Sequence, residues 1–230
     1  GSTDGTREGL THDFQDVNRL DGTTDMWWTA ATNLGIKAAL DRGSNCLKLL
    51  NNDCYFSEDT LKRLRHHADK QDEACIAPVQ RSLKTDKPLT YPMTTCFTLG
   101  FPILQLPGKP LYNQQQQRLI SVQLIIGGRG VLIPAEIFRK HGLLNEEDLP
   151  HYGSDLDFYL RCRKQGIPLL VAPDAVVEED ESTTTMSAHL GRMRLLDYIR
   201  SLKDRRTHRT LRELSKRFRV HNPVRVRYPV

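Results

Sequence analysis

Two groups of acidic and amide side chains stand out in this 230-residue chain. The apolar pair Leu49-Leu50 stops abruptly at Asn51-Asn52-Asp53, and further on Tyr152-Gly153-Ser154 leads into Asp155-Leu156-Asp157. The first group reads as two amides and a carboxylate at the end of a buried strand. The second reads as a carboxylate pair opening a helix. In open α/β sheets the ligand crevice lies beyond the carboxyl ends of the strands, so acids placed there can reach a bound substrate or a metal ion. Asp157 also lies four residues before Arg161, the spacing of a helix-surface ion pair worth about a few tenths of a kcal/mol.

The segments that must position these groups alternate between helix and strand patterns. Residues 32–40 place Leu34, Ile36, Ala38 and Ala39 on a helix that Gly43 stops, and 46–50 then reads as a buried strand. Ser57 caps a helix whose first turn holds Glu58 and Asp59 and which runs toward His66, ahead of a strand over 74–79. Prolines 88, 92, 102, 107 and 110 and the glutamine run 114–117 break the middle of the chain into loops and short strands. Residues 119–126 are strand-like, and Gly127-Gly128-Arg129-Gly130 is a turn whose glycines allow close backbone approach. Pro134 starts a helix that Gly142 ends, Ser154 caps another that ends at Gly166, and 168–172 is a strand. The alternation predicts a three-layer α/β sandwich around a mostly parallel sheet.

Composition narrows the class. A chain of this length that is 38% hydrophobic can bury one substantial core. No apolar run approaches the roughly 20 residues needed to cross a bilayer, and the first residues lack a basic flank followed by an apolar stretch. A soluble, cytoplasmic protein is expected. Five cysteines, at 46, 54, 75, 96 and 162, include no C-x-x-C pair and are expected to be free thiols in a reducing compartment. Charge is uneven: from His189 onward thirteen Lys and Arg face three acids, so the tail is +10 and the body −5 within a net +5.

Four segments carry a family resemblance. Trp27-Trp28-Thr29-Ala30-Ala31-Thr32-Asn33-Leu34-Gly35, then Leu49 to Asp53, then Gly128-Arg129-Gly130-Val131-Leu132-Ile133-Pro134, then Tyr152 to Asp157 with Leu160-Arg161 resemble, in order, the signatures of family 2 glycosyltransferases. The likeness spans about residues 24–180. It implies a GT-A (Rossmann-like) fold and inverting transfer of a sugar from a nucleotide-sugar donor to a saccharide or lipid-linked acceptor, in the manner of cell-surface polysaccharide or glycolipid assembly. On this basis 1–188 is the catalytic domain and 189–230 a basic amphipathic extension.

The resemblance assigns roles residue by residue. Asp53 stands where the family has its D-x-D type motif, and would bind Mg²⁺ or Mn²⁺ to offset charge on the departing diphosphate. Asn51 would contact the donor. Asp155 matches the family's general base, which takes the acceptor hydroxyl's proton. Ser154 stands where the family has Glu, a departure that bears on acceptor binding. Asn33 matches a nucleotide contact or is a helix cap; Trp28 walls the donor pocket or packs in the core. Gly128, Arg129 and Gly130 border the acceptor or form a plain turn, and Asp157 and Arg161 are acceptor-side candidates. Asp4 is a donor-side candidate, because Gly1 to Thr6 resembles the stretch just after the family's first strand. That strand is not in the sequence, so two readings stand: the chain is a fragment without the family's first strand and helix, or the likeness at Gly1 to Thr6 is accidental. Where members often place a His near the metal, this chain has Val176-Val177-Glu178-Glu179-Asp180.

The tail allows two readings. Leu190, Met193 and Leu196, then Leu211, Leu214 and Phe218, form stripes opposite arginines, which suits either an anionic membrane surface or packing on the body. No aromatic-interleaved motif supports nucleic acid. The rival to an enzyme is a catalytically incomplete module that binds a membrane or protein partner through this tail.

Overall fold

The structure is a computed structural model that describes residues 4–71, 73–99, 101–113, 115–180 and 211–221. Its spine is a six-stranded sheet in which β1 (Cys46–Lys48), β7 (Leu132–Pro134), β3 (Cys75–Ser82) and β8 (Leu169–Glu179) lie side by side. The far edge of β8 is shared by β6 (Ile120–Ser121), near its start, and β2 (Cys54–Tyr55), at its end. A separate hairpin joins β4 (Met93–Cys96) to β5 (Phe101–Gln105).

Strand direction corrects one expectation. β3 and β8 run parallel, but β7 sits antiparallel between β1 and β3, and β2 and β6 are antiparallel to β8. The α/β layering stands, while the sheet is mixed rather than mostly parallel. Among the described residues no α-helix lies between β3 and β7, so there is no helical crossover of the kind that returns a chain parallel to its neighbour.

Helices flank both faces. α2 (Trp28–Asp41), α4 (Ala135–His141) and α5 (Ser154–Lys164) cover the larger core, where Ile36, Phe138, Phe158 and Tyr159 pack on Leu47, Val79, Ile133 and Val171. α3 (Glu58–Ala68) covers the other face through Leu64, which meets Ala74, Ile76, Ala172 and Ala175. The α3 boundaries follow their signals: Ser57 Oγ accepts the Thr60 amide, Glu58 and Asp59 fill the first turn, and Arg65, His66 and His67 the last. α1 (Thr6–Asp13) buries no residue.

Several boundaries differ from the sequence pattern. α2 begins four residues before the expected start, at Trp28. Of 119–126 only Ile120–Ser121 is a strand. β8 runs through to Glu179, carried past a bulge: Pro78 is opposite Ala172, but Val79 is opposite Val176, so Pro173, Asp174 and Ala175 loop out. Ser154 is not the cap of α5, because Gly153 (φ 86°) takes that place.

The C-terminal extension is described only at α6 (Leu211–His221), which packs on the body. Phe218 meets the Phe97 ring edge-on at 5.6 Å, and His221 stacks on Phe97 at 5.4 Å and contacts buried Asp157 at 3.0 Å. The stripe Leu190, Met193, Leu196 lies outside the described residues.

Asn33 also departs from expectation. It is internal to α2, buried, and braces the 144–146 segment: its amide nitrogen donates to the Leu144 carbonyl (2.9 Å) and Glu146 (2.8 Å), and its oxygen accepts the Leu144 amide (3.1 Å). A helix-start cap or a surface contact with a nucleotide does not match that position. Removing such a group strands buried partners. Asn33→Ala is expected to lower unfolding free energy by about 2 kcal/mol, read from denaturant titrations at unchanged m value.

Candidate active site

The site is built where β1, β3 and β8 end. Beyond β1 the chain passes through Leu49 to Asn51, whose side-chain oxygen accepts the Trp28 indole N–H at 3.2 Å. Trp28 opens α2, so this bond ties the start of that helix to the strand-end amide. The next residue, Thr29, is fully buried and donates to the Leu149 carbonyl (2.7 Å) while its oxygen meets Ser154 Oγ at 2.8 Å. Ser154 opens α5 and is followed by Asp155. A continuous chain of contacts thus runs from Asn51 through Trp28 and Thr29 to the residue next to Asp155.

A second set of contacts closes the same end from the opposite side. The Gly130 amide donates to the Leu49 carbonyl at 2.7 Å, and the Leu49 amide donates to Val131 at 2.9 Å. A Cβ on Gly128 would stand 3.2 Å from the Trp28 ring. Arg129 pairs with buried Glu179 at 2.7 Å, which ties the turn to the end of β8. Tyr159, one turn after Asp155, donates its hydroxyl to the Gly127 carbonyl at 3.2 Å. Burial raises the Tyr159 pKa well above its ordinary value, and the Asp155 charge adds to the rise, which keeps the phenol protonated as a donor.

Asp53 is half-buried at the start of β2. Its carbonyl accepts the Asp180 amide at 2.9 Å, so the carboxylates at 53 and 180 belong to adjoining chain segments. Among the described residues no three His, Cys, Asp or Glu side chains gather to hold an ion alone. The donor set is hard oxygen at one or two carboxylates, which fits a divalent cation that takes its other ligands from substrate phosphates.

Two residues enter that the sequence reading missed. Lys48 ends β1, its ammonium lies over the Phe56 ring at 3.2 Å, and its Nζ is buried without a hydrogen-bond partner. Burial pulls its pKa down to about 8, against a smaller opposing effect of Cys54. His151 packs between Trp27 (5.1 Å) and Tyr152 (4.1 Å), and burial lowers its pKa. The signal for Lys48 was a lone cation inside the apolar run Leu47 to Leu50. For His151 it was the aromatic neighbour Tyr152, which is weak.

Asn51, Trp28, Gly128, Arg129 and Gly130 are linked at this end of the sheet by the contacts above, and Asp53 and Asp155 stand on the segments that adjoin them; other expected site residues are placed differently. Asp157 is buried rather than part of a surface pair. Burial opposes its ionisation, but contact with His221 and the Arg161 charge outweigh this and hold its pKa below the usual value. Arg161 joins Asp157 at 2.9 Å and donates to the His141 and Leu143 carbonyls, so the two brace α5 against the 141–143 turn instead of facing an acceptor. Asp4 is exposed and accepts the amide and hydroxyl of Thr6 at the start of α1, which lowers its pKa.

The fold is that of the GT-A glycosyltransferases. Among solved structures the chain is similar to the crystal structure of GalNAc-T7 with UDP, GalNAc and Mn²⁺, at TM-score 0.59 and 15% identity, over 75% of this chain and 35% of that one. In sequence it is 24% identical over 144 residues to the dTDP-rhamnosyl transferase RfbF of Shigella flexneri, a match that takes in 63% of this chain and 45% of its relative. The chain thus spans less than half the length of the curated relative it matches. No protein-family model matches it.

The turn offers a clean test of close packing. Gly130 (φ 81°) and Gly166 (φ 79°) share a positive φ, but a Cβ at 130 would meet Val177 at 3.0 Å and Pro78 at 3.1 Å, whereas one at 166 meets nothing within 4 Å. Gly166→Ala is expected to cost about 1 kcal/mol from conformation alone, and Gly130→Ala about 2–3 kcal/mol, measured by thermal melts followed by circular dichroism.

Proposed function

We propose that this chain is the catalytic domain of an inverting glycosyltransferase that moves a hexose or deoxyhexose from a nucleotide-sugar donor to a hydroxyl of a saccharide or lipid-linked acceptor. The observation that carries the reading is the contact chain Asn51–Trp28–Thr29–Ser154, which couples the strand-end acid segment to the helix that begins Ser154-Asp155. The likeness to a dTDP-rhamnosyl transferase favours a deoxyhexosyl donor and a place in cell-surface polysaccharide synthesis, on the cytoplasmic side of the membrane.

In this reading Asp155 takes the proton of the acceptor hydroxyl as the new C–O bond forms, while the bond from the anomeric carbon to the diphosphate oxygen breaks and its electron pair leaves with the diphosphate. Asp155 stands in the first turn of α5, beside the buried Ser154 hydroxyl. Asp53, with Asp180 adjoining, would hold Mg²⁺ or Mn²⁺, which when bound offsets the charge growing on the departing diphosphate. Lys48 adds a cation on the same strand end, held by burial and the Phe56 ring. Trp28 and Asn51 fix the donor side. Behind Arg129 a cavity of about 220 Å³, lined by Pro78, Gln80, Tyr91 and Met93 among others, supplies a mostly apolar acceptor-side wall.

Two experiments test this. In a panel of nucleotide sugars with Mg²⁺ or Mn²⁺, Asp155→Asn should lower transfer by about a thousandfold or more with donor affinity kept, whereas Asp53→Ala should remove the metal dependence of donor binding. If wild-type protein binds no donor in the panel, the transferase reading fails and a non-catalytic binding module takes its place. The second uses Lys48. Its folded pKa lies near 8, below the ordinary 10.5, so the ammonium is charged below that pH and neutral above it. Donor affinity should therefore fall as pH rises through about 8, and Lys48→Met should flatten the profile. Stability should move the opposite way, rising between about 8 and 10.5, because there the unfolded chain holds a proton the fold has released.

A further inference from the structure

The bulge in β8 is not needed by the transfer chemistry, and it creates a second polar feature. Pro173, Asp174 and Ala175 loop out of register with β3, and Asp174 is left buried beneath α3. There it contacts His67 Nε2 at 2.9 Å and the Arg63 guanidinium at 3.7 Å. His67 is itself buried, so an aspartate and a histidine occupy the floor of the helix-sheet contact beside Leu64, Ala172 and Ala175. Bulges commonly re-aim a side chain beside a functional site, and a buried carboxylate that orients cations is a usual way to pre-set a binding surface.

That floor opens on both sides. Toward the carboxyl end of β8 lies a cavity of about 460 Å³, and toward its start a larger one of about 610 Å³, and Arg63 and Asp174 line both. The larger cavity is walled by Lys62, Lys70 and Arg118 as well as His67. Four Lys and Arg there face one carboxylate, on a body whose remaining charge is acidic. Asp174 is already occupied by His67 and Arg63, and Lys62 pairs with Glu58 at 3.0 Å. Lys70 and Arg118 are exposed and pair with no carboxylate among the described residues. Cations that converge on a roomy pocket without counter-charges hold their positive potential for a ligand.

We propose that the groove between α3 and β6 is a second binding site, separate from the donor site, for a phosphate-bearing anion, with Arg63, Lys70 and Arg118 as the contacting groups and Asp174 and His67 as the floor that positions Arg63. Arg and Lys in this number suit a dianionic or diphosphate group better than a single carboxylate. The shared chemistry covers a free phosphate compound and the headgroup of an anionic lipid. The proposal does not depend on the transfer reaction.

The test is titration calorimetry of the full chain with inorganic pyrophosphate in EDTA, alongside flotation with phosphatidylglycerol vesicles and with phosphatidylcholine vesicles as the neutral control. Lys70→Glu/Arg118→Glu, both changes at exposed positions, should weaken one of these interactions about tenfold or more, and Asp53→Ala should leave it unchanged. Loss of pyrophosphate binding assigns a free phosphate compound; loss confined to phosphatidylglycerol vesicles assigns a lipid headgroup. The site is overturned if the double variant, shown folded by circular dichroism, matches wild type in both assays, or if Asp53→Ala weakens binding as much. Should the charge reversal unfold the chain, Lys70→Gln/Arg118→Gln takes its place with the same two outcomes.

Discussion

The short hydrogen bond from the Gly130 amide to the Leu49 carbonyl, 2.7 Å long, is the contact on which the arrangement at the carboxyl end of the sheet depends. It requires that β7 return antiparallel to β1 directly from the turn, and that the turn backbone come within van der Waals reach of Trp28, Val177 and Pro78. Only residues without a Cβ permit both approaches. Once the turn is seated, Arg129 meets Glu179, Tyr159 meets the Gly127 carbonyl, and the Trp28 ring is fixed where its indole reaches Asn51. One backbone bond therefore sets the relation among three strand ends and two helix starts.

Behind that end, polar contacts in buried positions replace what the sequence suggested would be binding contacts. Asn33, Ser154, Asp157 and Arg161 all lie in segments that resemble family signatures, and all are used inside the fold. Asn33 fixes 144–146, Ser154 meets Thr29, and Asp157 with Arg161 locks α5 to the 141–143 turn and to α6. A group of this kind is costly to strip of its partner, so it holds the helix that begins Ser154-Asp155 in one orientation. These contacts brace the segments that border the candidate site.

Legibility followed how local each signal was. The Ser57 cap, the Gly43 and Gly142 stops and the start of α4 after Pro134 are written in adjacent residues, and the structure has them. Direction in the sheet is not local: nothing in Leu132-Ile133-Pro134 says that it pairs antiparallel to both neighbours. The bulge in β8 was hidden for a similar reason, since Pro173-Asp174 reads as the end of a strand unless the register of β3 beside it is known. Side-chain placement splits the same way. Asn51 and Asp53 could be read from an apolar run that breaks at polar residues, whereas the burial of Asp157 depends on His221, sixty-four positions away. Lys48 escaped because a lysine in a strand looks like a surface residue until Phe56 folds over it.

The departure at Ser154 carries a consequence for how Asp155 works. Serine places no second carboxylate beside Asp155 and spends its hydroxyl on Thr29, fully buried. The Asp155 carboxylate receives the Leu156 amide at 2.8 Å, which holds it against the first turn of α5. In the proposed transfer such a site relies on pre-orientation: the acceptor oxygen must be delivered within reach of a carboxylate held in place, and the departing diphosphate must be well neutralised as the bond forms. Lys48, a buried cation at the carboxyl end of β1 beneath the Phe56 ring, suits that proposal, in which it assists the leaving group.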